Sequence, residues 1–67
     1  PLLNRRAEQL VGRVVPLQQG IVGGQGRVSI DDAYWQVSGP ELQAGSLVRV
    51  VAVQGSTLQV EPADRPL

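Results

Sequence analysis

The chain has 67 residues, and six arginines balance six acidic residues, so its formal net charge at pH 7 is zero. This length allows one domain, and the balanced charge argues against sequence-independent binding to nucleic acid, which needs a basic surface. The absence of Cys, His and Lys excludes disulfides and thiolate metal sites, and removes the side chains that most often activate a serine nucleophile.

The N-terminal third of the sequence predicts a short segment outside the barrel, followed by one strand. Residues 1–9 are polar at five of nine positions and are expected to form at most a loosely docked helical turn, with Asn4 as its cap. The first strand is predicted at residues 10–15, because Pro16 has no N–H to donate to a central ladder. Residues 17–20 are then expected to form a loop.

A long second strand is predicted over residues 21–30. Three glycines within Gly23–Gly26 weaken this strand but let it bend, as small barrels require. Asp31-Asp32 then forms a turn. In the third strand, at residues 33–37, alternation places Trp35 inward and Tyr34 outward.

A hairpin is predicted over residues 45–60, with a tight turn at Gln54-Gly55. Strict alternation fails between Val50 and Val53, so we expect a bulge at Val51-Ala52 that returns Val53 to the inside. Together, the strands predict a core made of these residues: Val14, Val28, Ile30, Trp35, Val37, Val48, Val50, Val53, Leu58 and Val60.

Five short strands, the second of them long and bent, predict an all-β fold. We expect a small five-stranded OB-fold Greek-key barrel. The connection at residues 38–45 is too short for a substantial helix between strands 3 and 4. The barrel should span residues 10–62, with a tail at 63–67. An SH3-like barrel is the alternative that this pattern leaves open.

An ordered series of landmarks runs along the chain: Leu10-Val11-Gly12, Gly24-Gln25-Gly26-Arg27-Val28, Trp35-Gln36-Val37, Leu42-Gln43-Ala44-Gly45-Ser46-Leu47-Val48-Arg49-Val50, and Val53-Gln54-Gly55-Ser56-Thr57-Leu58-Gln59-Val60-Glu61-Pro62. In this order they resemble the soluble C-terminal domain of NfeD-like membrane proteins, most closely the short, protease-less YbbK-like branch. The resemblance covers roughly residues 5–62. It implies an OB-fold barrel joined to transmembrane helices upstream.

The resemblance also implies a function. It points to a non-catalytic protein–protein interaction domain, whose partner is a stomatin-, prohibitin- or flotillin-type (SPFH-type) membrane scaffold. It places the parent protein in the bacterial cell membrane and this domain on the cytoplasmic side, which Arg5 and Arg6 would suit as the exit from a membrane helix. Longer members of the family carry a Ser-Lys protease domain, and this chain has no Lys to supply that pair.

No cofactor, metal site or catalytic residue is therefore predicted. Tyr34 is the candidate partner contact because it faces outward, and Arg27 and Gln36 are expected to lie beside it. Trp35 is assigned to the core.

Two other functions stay open as alternatives: an OB module for single-stranded nucleic acid, and a regulatory domain of a membrane protease system. The first needs aromatic stacking platforms in a positive groove. The only aromatics here, Tyr34 and Trp35, are neighbours on one strand and so face opposite sides.

Overall fold

In a computed structural model, which describes residues 7–63, five strands close into a barrel. The strands are β1 (Val14–Val22), β2 (Gln25–Ile30), β3 (Ala33–Ser38), β4 (Leu47–Gln54) and β5 (Thr57–Pro62). Their order around the barrel is β1-β2-β3-β5-β4, and only the β3–β5 pair is parallel. The all-β, five-stranded barrel is confirmed. Within residues 7–63, no helix has the length and apolar character needed to cross a bilayer.

The first strand is longer, and the second shorter, than the sequence predicted. β1 runs through Pro16 to Val22, and the chain then reverses at Gly23-Gly24 instead of bending there. Pro16 is tolerated because the Leu17 amide donates to the Ser46 carbonyl at 2.8 Å, so the missing N–H at Pro16 would point away from β4. The two glycines have φ of 65° and 86°, and two positive φ angles are what a type I′ hairpin turn requires.

The register of β1 also corrects one predicted core residue. Val14 pairs with Arg49 and is only partly buried, whereas Val15 pairs with Val48 and is 7% exposed. Directly opposed residues share one side of an antiparallel sheet, and Val48 is fully buried. The inward positions of β1 are therefore Val15 and Leu17, one residue out of phase with the prediction.

A helical turn packs against the barrel before β1. Ala7 and Leu10 belong to the core, with exposed fractions of 1% and 6%, and the turn ends at Gly12 with a φ of 95°. The expectation of a loosely docked N-terminal segment is wrong at Ala7, which is buried, whereas Glu8 and Gln9 are exposed. The predictions about the Asn4 cap and the Arg5-Arg6 pair fall outside the described residues.

The other predicted core positions come from β2 to β5. Seven of them are buried in one cluster: Val28, Ile30, Val37, Val48, Val50, Leu58 and Val60. Trp35 and Val53 are partly buried and pack against that cluster. A register shift between Val50 and Ala52 leaves Val51 exposed and sets Val53 opposite Leu58, which is the predicted bulge. Ile21, which the prediction did not include, is 1% exposed.

The turn between β2 and β3 offers a way to stabilise the domain. Asp31 and Asp32 have φ of 52° and 66°, a left-handed conformation that costs an L-residue about 1–2 kcal/mol. Asp32→Gly is expected to raise the free energy of unfolding by about 0.5–1 kcal/mol, measured by urea denaturation. Asp32→Ala removes the same carboxylate but keeps the strain, so an equal gain from Asp32→Ala would attribute the effect to charge instead.

Candidate functional site

The three residues proposed as the partner contact lie together on the outer surface of the β2–β3 hairpin. Arg27 is directly opposite Gln36, and Tyr34 occupies the next outward position along β3. The guanidinium carbon of Arg27 lies 5.7 Å from the centre of the Tyr34 ring, which is within the range of a cation–π contact. These three side chains come together because the two-residue Asp31-Asp32 turn fixes the register of the hairpin.

Tyr34 presents most of its ring to solvent. Its exposed fraction is 65%, while Trp35, on the other side of the strand, is partly buried against the core. The cation–π contact with Arg27 therefore orients the Tyr34 ring without covering it. An oriented aromatic ring of this kind can pack against another surface with little loss of side-chain entropy.

Three further residues extend this surface, and none of them is predicted from the sequence. Gln19 lies opposite Arg27 across β1 and β2, and Val22, which is 78% exposed, lies opposite Gln25. With Gly26 they line a shallow groove beside Arg27 and Gln36. The missed signal was Gly23-Gly24, a dipeptide typical of two-residue hairpin turns. We refer to one surface as the outer face: Gln19, Val22, Gln25, Arg27, Tyr34 and Gln36.

Charge is sparse on the outer face. Arg27 is its one charged residue, and the other polar groups are the Tyr34 hydroxyl and the amides of three glutamines, Gln19, Gln25 and Gln36. Residues 7–63 together contain three arginines and five acids, and the single ion pair among them joins Arg49 to Glu61 at 3.3 Å on β4 and β5. Both side chains of that pair are about half exposed, so it contributes at most about 1 kcal/mol.

These groups can bind but offer no catalytic constellation. The described part of the chain holds no cluster of three His, Cys, Asp or Glu side chains that could bind a metal ion. The outer face lacks the positive groove with several aromatic platforms that single-stranded nucleic acid needs. One oriented tyrosine, one arginine and several amides are instead the groups that interfaces between proteins use.

Comparison with known proteins identifies relatives of this barrel. The family described as "NfeD-like C-terminal, partner-binding domain" matches residues 7–62. The inner membrane protein YbbJ of Escherichia coli (strain K12) is 42% identical over 59 residues, which are 87% of this chain and 39% of YbbJ. The chain thus spans about two-fifths of the length of that relative.

Two solved structures share the fold, each with a TM-score of 0.74. One is the C-terminal domain of stomatin operon partner protein 1510-C from Pyrococcus horikoshii, at 21% identity over 87% of this chain and 94% of that one. The other is the soluble domain of a membrane protein implicated in regulation of membrane protease activity from Corynebacterium glutamicum, at 23% identity over 84% of this chain and 95% of that one. With the family match over residues 7–62, the chain belongs to the NfeD-like family, as a C-terminal, partner-binding domain.

Proposed function

We propose that this chain is the non-catalytic, partner-binding domain of a bacterial membrane protein, and that its partner is a stomatin-, prohibitin- or flotillin-type membrane scaffold. The family description supports partner binding. The Pyrococcus horikoshii protein of the same fold is named a stomatin operon partner, and the Escherichia coli relative is an inner membrane protein. These names support a membrane setting and a stomatin-type partner.

The outer face is the proposed contact surface. The observation that carries this proposal is Tyr34, 65% exposed and oriented by Arg27. Tyrosine and arginine are enriched in residues that dominate binding energy, and charged residues are depleted at the centres of interfaces. The glutamines around Tyr34 can exchange hydrogen bonds with a partner, and burying them costs less than burying a charge.

The mechanism is contact between a rigid barrel and a scaffold in the same membrane, on its cytoplasmic side. A closed barrel undergoes little ordering when it binds, which lowers the entropic cost of association. Attachment of both proteins to one membrane would raise their effective concentration towards the millimolar range. A contact that is weak in solution would therefore be sufficient at the membrane.

An NMR titration tests this function. The isotope-labelled chain is mixed with the soluble part of a stomatin-type protein from the same organism, and a single-stranded oligonucleotide serves as control. We expect shifts confined to amides of the outer face, such as those of Gln19, Arg27 and Tyr34, and no shifts with the oligonucleotide. Shifts centred on Arg49 and Val51 would instead place the interface on β4. Salt-sensitive shifts with the oligonucleotide would favour nucleic-acid binding.

A further inference from the structure

The strands close into a barrel, but the pairing of β3 with β5 is shorter than the pairing of β3 with β2. β3 pairs with β2 along its whole length, from Ala33 to Ser38, but pairs with β5 only from Gln36 onward, because β5 begins at Thr57. The first half of β3, residues 33–35, thus has a strand partner on one side only among residues 7–63. This leaves a short open edge at residues 33–35, on the side of β3 that faces away from β2.

The hairpin register shows which backbone groups face this edge. Ile30 and Ala33 flank a two-residue turn, so they form the hydrogen-bonded pair that closes it. Alternation along β3 then directs the N–H and C=O of Ala33 and Trp35 towards β2, and those of Tyr34 the other way. The Tyr34 amide and carbonyl therefore point to the side where β5 has not begun.

We propose that the partner's extended segment adds to this edge as a short strand and carries a Lys or Arg residue beside the β2–β3 turn. This inference rests on the proposed function, because it specifies how the outer face engages its partner. Strand addition of this kind provides backbone hydrogen bonds, with side-chain contacts for specificity. An added strand would continue the outer face past β3, so its outward side chains would contact the Tyr34 ring.

Charge complementarity with the β2–β3 turn favours a basic segment in the partner. Asp31 and Asp32 are exposed and lie at the start of the open edge, and the single ion pair within residues 7–63 is that of Arg49 with Glu61. The two aspartates thus present two exposed carboxylates with no cationic partner in the described part of the chain. Arg27 lies on the β2 side of Tyr34, so it flanks the ring on the side away from the arriving strand.

Hydrogen exchange at the Tyr34 amide tests the proposal. The probes are overlapping synthetic peptides that span the stomatin-type protein of the same organism, together with that protein's intact soluble part. With a basic peptide at about ten times its Kd, exchange at Tyr34 should slow by about tenfold. The internal control is the Gln43 amide, which is exposed and donates no backbone hydrogen bond within residues 7–63, so that it exchanges without unfolding and should keep its rate. The Trp35 amide faces β2 and exchanges on opening, so binding should slow it too through the added stability of the fold.

A charge variant provides the second readout. Asp31→Asn with Asp32→Asn keeps residues that tolerate a positive φ and removes both carboxylates. It should weaken binding of the basic peptide by about two- to fivefold, and by less at high salt, as expected for exposed ion pairs.

The outcomes separate this inference from the proposed function. If the intact stomatin-type protein shifts the outer face but Tyr34 exchange does not change, strand addition is wrong and the proposed function stands. If neither peptides nor intact protein bind, both are wrong. If the concentrated chain alone protects the Tyr34 amide, the edge is occupied by a second copy, and the proposed occupant is wrong.

Discussion

Replacing Ile21 with alanine is expected to lower the free energy of unfolding by about 2–5 kcal/mol. Ile21 is 1% exposed and is among the largest fully buried side chains of the described residues. Its side chain fills the space beneath two glycines, since a Cβ built on Gly26 would lie 2.8 Å from an Ile21 carbon and one on Gly39 would lie 3.5 Å from another. Truncating Ile21 therefore leaves a cavity that neither glycine can fill.

The loss would be a large part of the total stability. A domain of this length has about 3–10 kcal/mol in all, so a substantial unfolded fraction is expected for Ile21→Ala near physiological temperature. Urea denaturation followed by circular dichroism measures the change. The matched control is Val22→Ala, the neighbouring residue in the same strand, which is 78% exposed and should change stability by less than about 0.5 kcal/mol. If Ile21→Ala and Val22→Ala lowered the free energy of unfolding equally, the register assigned to β1 would be wrong.

Ile21 also shows where prediction from the sequence failed. The sequence pattern predicts Ile21 at the start of a second strand, because Pro16 is interpreted as a strand end and Gly23-Gly24 as a bend. In a local sequence pattern, a proline and a Gly-Gly pair are each compatible with more than one structure. Pro16 is compatible with a strand when its nitrogen points away from the paired neighbour, and Gly-Gly can either bend a strand or reverse it. The pairing of β1 with β2 and β4 decides both questions, and that pairing is not local in sequence.

Where pairing is local, the prediction was correct. The bulge between Val50 and Val53 could be predicted because a single interruption of the inward–outward alternation in a hairpin is most simply explained by one extra residue in one strand. The grouping of Tyr34, Arg27 and Gln36 on one surface follows from a hairpin with a two-residue turn, whose register is fixed by the turn itself. Gln19 and Val22 join that surface only through two register shifts between β1 and β2, which the sequence pattern does not mark. The open edge of β3 likewise depends on where β5 begins.

Truncating Tyr34 to alanine is expected to weaken binding of the stomatin-type partner by at least about 2 kcal/mol, or roughly 30-fold in Kd. The ring is 65% exposed, so little apolar area is lost from the fold. The contact with Arg27 contributes about 0.5–1 kcal/mol at such an exposed site, and the free energy of unfolding should fall by no more than that. Calorimetric titration with the partner's soluble part, with urea denaturation of the same variant, measures both quantities.

Two control variants separate the Tyr34 ring from general surface effects. Tyr34→Phe keeps the ring and should retain most of the affinity. Val51→Ala removes exposed apolar surface from a different part of the barrel, since Val51 is 43% exposed and lies on β4, which does not neighbour β2 or β3. This variant should leave Kd unchanged. Equal losses for Val51→Ala and Tyr34→Ala would contradict binding through the outer face. Tyr34→Ala keeps the backbone amide that strand addition uses, so full affinity in this variant together with slowed exchange at residue 34 would assign the recognition to the edge of β3 instead of the ring.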